Sequence, residues 1–396
     1  MKKKLLFVIP TLDLGGAEKS LVNLLNAIDY SSYEVDLFFF LERGVFLSSI
    51  PKEVKIIENT KEYKIFSKSA IFSILLLLIK GKLSLVYHRL LFTFKNRYHK
   101  IISVNEQYTW THTARFLPFL QKEYDAAIGY LEKSTYYFVA DNVKAKKKIG
   151  WIHTDLEALK LDFTFEKKYF DKLDYLVTVS EGLKERLVHK LPSLESKVVA
   201  IENINSKKTI LHLAEEEPQV ILDKSTFNII FVGRLVKEKG LFMAIDAIHL
   251  LKKNNLNIKF YLVGKGNIES ELKAYALEKG VEQEVVFLGM QENPYPLIKQ
   301  AEVFMMTSFY EGKSIALEEA KILNKAIVIT NFSSAKDQIK DNVTGLIAEM
   351  NPEAIAEKLS LLYHENEIRE NLKANLSQEK LGNENEVEKL YQLIHS

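Results

Sequence analysis

The 396-residue chain contains no cysteine, which excludes disulfides and thiolate metal sites and fits a reducing compartment. Histidine is scarce too. Its nine residues show neither an HxH nor an HExxH spacing, so no structural or catalytic metal site is expected. A membrane-length apolar run is also missing. The start, Met1 to Pro10, is basic and then apolar like a signal peptide, but the run stops at Pro10 and no small-residue cleavage site follows. It reads as a buried first strand, and the chain is expected to be soluble and not secreted. Charge of one sign is lacking overall: 54 Lys and Arg face 52 Asp and Glu, a net +2. The distribution is uneven, however. Residues 1–205 carry +7 and the remainder −5, so the first half is expected to meet something anionic.

The length exceeds what one growing core supports, so two domains are the default, and a 47% hydrophobic content suffices to bury two cores. Strand-like and helix-like segments alternate from end to end, as in parallel sheets covered by helices on both faces. Strands are expected at 5–9, 35–40, 126–129, 148–151, 175–179 and 198–201. A helix follows the Gly15-Gly16 pair, and Ser180 caps another over 181–190. Residues 205–225 are polar and weakly patterned, as a linker would be. A second α/β set starts at Asn228 and continues through 259–263, 284–288, 303–306 and 326–330, ahead of a charged helical tail.

One segment breaks this pattern. Residues 61–104 hold nine Lys or Arg and a single acid, Glu62, around the apolar run 71–79 and Leu90-Leu91-Phe92. The run is too short to span a bilayer. A basic, aliphatic and aromatic stretch suits a helix lying in an anionic membrane surface, with a core helix bearing solvated lysines as the alternative. No recognised nucleic-acid-binding fold surrounds it, and no nucleic-acid partner is expected.

Chemistry concentrates in the second half. The run Ser308-Phe309-Tyr310-Glu311-Gly312-Lys313-Ser314 leaves a buried strand and enters a helix carrying Glu319. Two carboxylates at the C-terminal edge of an open α/β sheet suit a hydroxyl-rich ligand, a sugar. Gly233 closes another strand, with Arg234 directly after it and Lys239-Gly240 just before a helix. Cations converging beside helix-terminal amides make a phosphate or diphosphate site. The turns Gly264-Lys265-Gly266 and Leu288-Gly289 end neighbouring strands and are candidate walls for a nucleobase. His153 follows a strand of the first half.

Over essentially its whole length, and most strongly over 228–350, the chain resembles the retaining glycosyltransferases of family 4. The residues carrying the resemblance are Gly15-Gly16-Ala17-Glu18, Val179-Ser180-Glu181, Phe231 to Arg234, Lys239-Gly240, Val263-Gly264, Leu288-Gly289, Glu311-Gly312 with Glu319, and Thr344-Gly345-Leu346. The resemblance implies a GT-B fold: two Rossmann-like α/β domains facing across a central cleft, with the C-terminal helix crossing back to the first. The expected domains are 1–205 for the acceptor, 206–375 for the nucleotide sugar, and 376–396 for that helix.

The resemblance also implies roles. Arg234 and Lys239 would hold the diphosphate and stabilise the charge that builds as it leaves. Glu319 would take the ribose hydroxyls, and Glu311 the donor sugar. Gly264, Leu288, Gly312, Lys313 and Ser314 would complete the donor site. Gly15 and Gly16 would form the loop that approaches donor and acceptor, His153 would contact the donor sugar, and Asn203 would sit near the hinge or cleft. Retention is implied, with the leaving phosphate helping to take the acceptor's proton, and no metal or other cofactor.

Two features depart from the family pattern. Asn331 to Ile339 stands where relatives carry a Gly-rich turn, and Lys313 replaces a more usual aromatic or aliphatic residue. The expected activity is transfer of a sugar from a nucleotide donor, a UDP-sugar, to a lipid-linked saccharide in bacterial surface polysaccharide synthesis. Its place would be the inner face of the cell membrane, reached through 61–104. Rival readings are a sugar-nucleotide epimerase on the same fold, a transferase with a protein or other soluble acceptor, and an idle partner subunit.

Overall fold

The computed structural model describes residues 2–13, 15–97, 102–157, 159–311 and 313–396. These form two compact units, one comprising 1–204 with 384–396 and the other 205–383.

The first unit is built on a seven-stranded, all-parallel sheet. Its strands are β1 (Lys3–Ile9), β2 (Tyr33–Phe39), β3 (Lys55–Ile57), β4 (Leu120–Gly129), β5 (Val143–Ile152), β6 (Tyr175–Thr178) and β7 (Val198–Ala200), in the order β3-β2-β1-β4-β5-β6-β7. Side chains on successive strand residues alternate between faces. In β1, Leu5, Phe7 and Ile9 enter one core, while Leu6 and Val8 enter the other. Both faces are covered, which is why the strand reads as an uninterrupted apolar run. Burying each such side chain contributes about 1.5–3 kcal/mol.

Strands β4 and β5 extend further towards their N-termini than hydropathy indicated. Lys122 and Glu123 in one, and Lys144, Lys146 and Lys147 in the other, occupy pleats that leave the apolar core. The terminal helix Glu386–His395 belongs to this unit. Its Val387, Leu390, Leu393 and Ile394 join the β1 core, and Tyr391 stacks on Tyr33 with ring centroids 4.5 Å apart.

The segment around 61–104 forms separate short helices, Lys61–Phe66, Ala70–Ile79 and Leu83–Lys95, followed by Ile102–Thr113. Thr60 caps the first, accepting from the Tyr63 N–H, and Gly81 turns the chain between the next two at φ +66°. Among the described residues no helix is long and apolar enough to cross a membrane.

The second unit carries a six-stranded parallel sheet of β8 (Phe227–Val232), β9 (Ile258–Val263), β10 (Val285–Gly289), β11 (Val303–Met306), β12 (Ala326–Thr330) and β13 (Leu346–Ala348). The order is β10-β9-β8-β11-β12-β13, so the direction of winding reverses between β8 and β11. Ile229 and Phe231 face one core and Ile230 the other. Part of the stretch read as a linker is ordered: Lys207–Leu213 is a helix capped by Ser206, and Ile210, Ala214 and Leu222 enter the second core. Too few apolar residues mark it for periodicity to show.

Candidate active site

The reversal between β8 and β11 opens a crevice at the carboxyl ends of the strands, where ligands of open α/β sheets bind. Two close approaches shape it. Gly264, just after β9, has φ +138°, and a Cβ there would lie 1.9 Å from the Gly233 carbonyl oxygen. Gly240 has φ +61°, and a Cβ there would lie 2.0 Å from the Thr307 carbonyl oxygen. Only glycine lets these loops touch. The Gly264 N–H donates to the Gly289 carbonyl at 2.7 Å, joining the turn beyond β9 to the end of β10. Leu288 sits half-buried at that end, and its carbonyl accepts from the Gln291 amide at 3.0 Å.

Arg234 emerges directly from β8 and is exposed, with no side-chain hydrogen bond or ion pair among the described residues. Lys239 lies in the turn before the Leu241–Lys253 helix, and its ammonium is ion-paired with Glu311 from the loop after β11. Sequence reading gave these two residues separate jobs, on phosphate and on sugar; the structure brings them into contact. The Ser308 hydroxyl also donates to Glu311 Oε1, at 2.6 Å. The loop is tied to the Lys239 turn through its backbone as well. Phe309 N–H donates to the Glu238 carbonyl at 2.9 Å, and the Thr307 hydroxyl to the Lys239 carbonyl at 2.9 Å.

Glu319 sits in the Ile315–Ile322 helix, wholly buried, and accepts from the Tyr295 hydroxyl at 3.0 Å. Burial, followed by the Glu319 charge, pushes the Tyr295 phenol well above its ordinary pKa, so it stays a donor. Ser314 caps the same helix, accepting from the Leu317 N–H at 3.4 Å. Lys313 is exposed, and Gly312 lies outside the described residues.

The 331–339 segment, where side chains stand in place of glycines, acts as a clamp on this loop. The Ser334 hydroxyl donates to the Glu311 carbonyl at 2.9 Å, and Gln338 Oε1 accepts from the Ser314 N–H at 2.9 Å. The Thr330 hydroxyl donates to the Ser308 carbonyl at 2.6 Å. Sequence reasoning did not assign Tyr295, Thr307, Ser308, Thr330, Ser334 or Gln338. They are ordinary polar residues whose importance comes only from which loop they reach.

In the first unit, Gly15, Gly16 and His153 lie at the carboxyl edge of their own sheet. Gly15 is extended and caps the Gly16–Ala27 helix, while His153 follows β5. Ser20 on that helix is hydrogen-bonded to the Tyr130 hydroxyl at 2.8 Å and donates to Asn203 Oδ1 at 2.6 Å. The buried Glu132 carboxylate accepts from the His153 and Thr154 N–H groups, at 2.5 and 2.6 Å, and fixes the turn. Burial lowers the His153 pKa to about 3 against a partly compensating bond to the Tyr130 backbone, so the imidazole is neutral at working pH. Its buried Nε2 makes no hydrogen bond among the described residues.

Known proteins resemble this chain in sequence and in fold. Residues 214–379 match the profile of the family described as Glycosyl transferases group 1. The chain is 26% identical over 387 residues, 95% of its length and 93% of the relative's, to a Campylobacter jejuni GalNAc-alpha-(1->4)-GalNAc-alpha-(1->3)-diNAcBac-PP-undecaprenol alpha-1,4-N-acetyl-D-galactosaminyltransferase. A second protein of that organism, an N-acetylgalactosamine-N,N'-diacetylbacillosaminyl-diphospho-undecaprenol 4-alpha-N-acetylgalactosaminyltransferase, is 30% identical over 50% of the chain and 53% of its own length. Anabaena HepE, solved in complex with UDP and glucose, superposes with a TM-score of 0.69 over 100% of both chains at 14% identity. The chain is a glycosyltransferase of hexosyltransferase type with the GT-B fold, and its second unit matches the group 1 glycosyl transferases over residues 214–379.

Proposed function

We propose that the protein is a retaining glycosyltransferase that moves one sugar from a UDP-sugar to a lipid-linked saccharide in bacterial surface polysaccharide synthesis. The observation that carries this reading is the Lys239–Glu311 pair at the β8–β11 reversal, with Arg234 just past β8 exposed and unpaired among the described residues. A diphosphate entering there meets one ready cation and one that can turn from Glu311 towards phosphate. The relatives whose names specify undecaprenol-linked acceptors support the acceptor class, and the neighbour solved with UDP supports the donor.

In this reading the bond between the anomeric carbon and the β-phosphate oxygen breaks, and UDP leaves with the bonding pair. Arg234 and Lys239 neutralise the charge on that phosphate without a metal ion. The acceptor hydroxyl attacks from the same face, forms the new glycosidic bond, and passes its proton to the departing phosphate. Glu311 orients the sugar hydroxyls, Glu319 the ribose, and Leu288 with the turn at Gly264 flanks the base. Neutral His153 accepts a hydrogen bond from a hydroxyl of the donor sugar, and the Gly15-Gly16 loop admits the acceptor. In this reading the enzyme sits peripherally at the inner face of the cell membrane, where it meets a lipid-linked substrate, with residues 61–104 towards the lipid.

A transfer assay tests this. UDP-N-acetylgalactosamine, UDP-galactose and UDP-glucose are each supplied with a polyprenyl-diphosphate-linked saccharide, and the product's anomeric configuration is read by NMR. Transfer with the donor's α-configuration kept, lost in Glu311→Ala, is expected. Isomerised sugar nucleotide without transfer, or an inverted product, would remove the reading.

A further inference from the structure

Half of the exposed large apolar side chains in the described residues fall within one short segment, nine of eighteen between Ile71 and Phe94. They do not lie at random on their helices. On Ala70–Ile79 the exposed residues Ile71, Leu75 and Ile79 recur every fourth position, and on Leu83–Lys95 so do Leu83 and Tyr87, with Phe94 two turns on. Ile79 is 81% exposed, Ile71 76% and Phe94 72%. Residues at that spacing share one face of a helix. Exposed large apolar side chains clustered in this way mark interaction surfaces.

The opposite faces are firmly held, so the exposure is not poor packing. Ser73 and Leu77 are wholly buried beneath the first helix, and Val86 and Arg89 beneath the second. The Arg89 guanidinium stacks on Phe66 and Phe92, 4.9 and 5.3 Å from their centroids. It also donates to the Thr93 hydroxyl at 2.9 Å and the Lys68 carbonyl at 3.2 Å. Lys82, at the turn between the helices, is ion-paired with Glu62. His88 reaches the next helix through His112, Nδ1 to Nδ1 at 3.1 Å.

Cations flank these helices in sequence. Lys61, Lys68, Lys80, Lys95 and Arg97 hold no ion pair among the described residues, and Lys80 stands at the exposed turn. This arrangement selects the occupant. A second copy would set one basic rim against another, and like charges oppose that contact. An anionic bilayer offers hydrocarbon to the apolar side chains and phosphates to the cations, which the long Lys stems can reach.

We propose that the two-helix hairpin Ala70–Lys95 is a membrane-docking wedge that lies flat in the interfacial layer of an anionic bilayer. Ile71, Leu75, Ile79, Leu83, Tyr87 and Phe94 enter the acyl boundary, and Lys68, Lys80 and Lys95 sit on headgroup phosphates. The hairpin does not cross the bilayer: its helices of 10 and 13 residues are about 15 and 20 Å long, short of the hydrocarbon thickness. The proposal rests on the reading of the acceptor as lipid-linked for its purpose, and it deepens that reading by naming the surface and the lipid charge.

Flotation of the full-length protein tests it, with no nucleotide or acceptor present, so that a failed UDP reading and a failed wedge are told apart. Vesicles are phosphatidylcholine alone or an equimolar mixture with phosphatidylglycerol. The wild type should partition onto the anionic vesicles about tenfold or more better than onto neutral ones. Ile79→Asp with Leu83→Asp should cut anionic-vesicle binding by about tenfold or more, with circular dichroism and UDP affinity unchanged. Lys68→Glu with Lys80→Glu should abolish the preference for phosphatidylglycerol. A Tyr87→Trp reporter should shift its emission to the blue on anionic vesicles. The proposal is overturned if the wild type fails to float, if the Asp variant floats as well as the wild type, or if neutral and anionic vesicles bind equally. A wild-type dimer that the Asp variant makes monomeric, without flotation, would assign the face to a second copy instead.

Discussion

Replacing Lys239 with methionine should weaken UDP binding by two routes, one of which a second substitution can undo. The first is the lost charge-assisted hydrogen bond to phosphate, ~1.5–3 kcal/mol, or roughly 10–150-fold in Kd. The second comes from Glu311. Its side chain is 12% exposed and that of Lys239 20%, so the pair is largely shielded from water. Without Lys239, Glu311 keeps the Ser308 hydroxyl but presents an uncompensated charge to the incoming diphosphate. Two like charges about 6 Å apart in an effective dielectric of about 20 repel by ~3 kcal/mol. Glu311→Gln removes that repulsion. Lys239→Met/Glu311→Gln should therefore bind UDP about 5–100-fold more tightly than Lys239→Met alone. In the Lys239 background, Glu311→Gln should leave UDP affinity within about threefold and lower mainly the transfer rate. Isothermal titration of UDP into the four proteins gives the coupling energy, expected at ~1 kcal/mol or more. Additive effects, with coupling under ~0.3 kcal/mol, would refute the idea that Glu311 and the diphosphate share Lys239.

Other consequences follow from single contacts. Gly264→Val places side-chain carbon against the Gly233 carbonyl, so it should cost more than ~2 kcal/mol in urea denaturation and abolish UDP binding while far-ultraviolet dichroism persists. Tyr295→Phe removes a donor from the buried Glu319 carboxylate and should cost ~1–3 kcal/mol, read in the same denaturation experiment. His153 has a folded pKa of about 3, below its ordinary value of 6.5. The unfolded chain therefore takes up the proton first, and the stability this neutral imidazole contributes is full above pH 6.5 and falls as pH drops towards 3. The slope is at most ~1.4 kcal/mol per pH unit. His153→Gln should flatten the loss between pH 7 and 5. Burial also lowers the pKa of His88 and His112, so a residual slope of the same sign should remain.

Much of the fold is legible in the sequence because parallel strands buried on both faces read as apolar runs, as Leu5 to Ile9 and Ile229 to Val232 do. What hydropathy leaves out is the charged half of β4 and β5, where Lys122, Lys144 and Lys147 occupy pleats beyond the core. The helix Lys207–Leu213 is hidden for a different reason: a single turn of apolar residues carries too little periodicity to stand out from a linker. The basic, apolar segment is visible as composition. Only the structure divides it into three helices and shows that Arg89, a surface cation by composition, is an internal brace.

The candidate site divides in the same way. Arg234, Lys239, Gly264, Glu311 and Glu319 are marked by residue type at strand ends, and four of them stand at the carboxyl edge between β9 and β11. The hydroxyl and amide clamp made by Thr330, Ser334 and Gln338 has no such mark, since each reaches a loop distant in sequence. The clamp occupies the segment where the family resemblance implies a Gly-rich turn. Side chains hold the Glu311 loop where backbone approach would otherwise do so.

The central claim is that a nucleoside diphosphate binds at the β8–β11 reversal, and Arg234 tests it most directly. Arg234 is exposed and makes no intramolecular bond among the described residues, so Arg234→Ala should leave the melting temperature unchanged. Titration of UDP is predicted to show saturable one-site binding to the wild type, weakened about 10–150-fold by Arg234→Ala through loss of its charge-assisted hydrogen bonds. No UDP binding by the wild type, or equal affinity in the two proteins, would contradict the account.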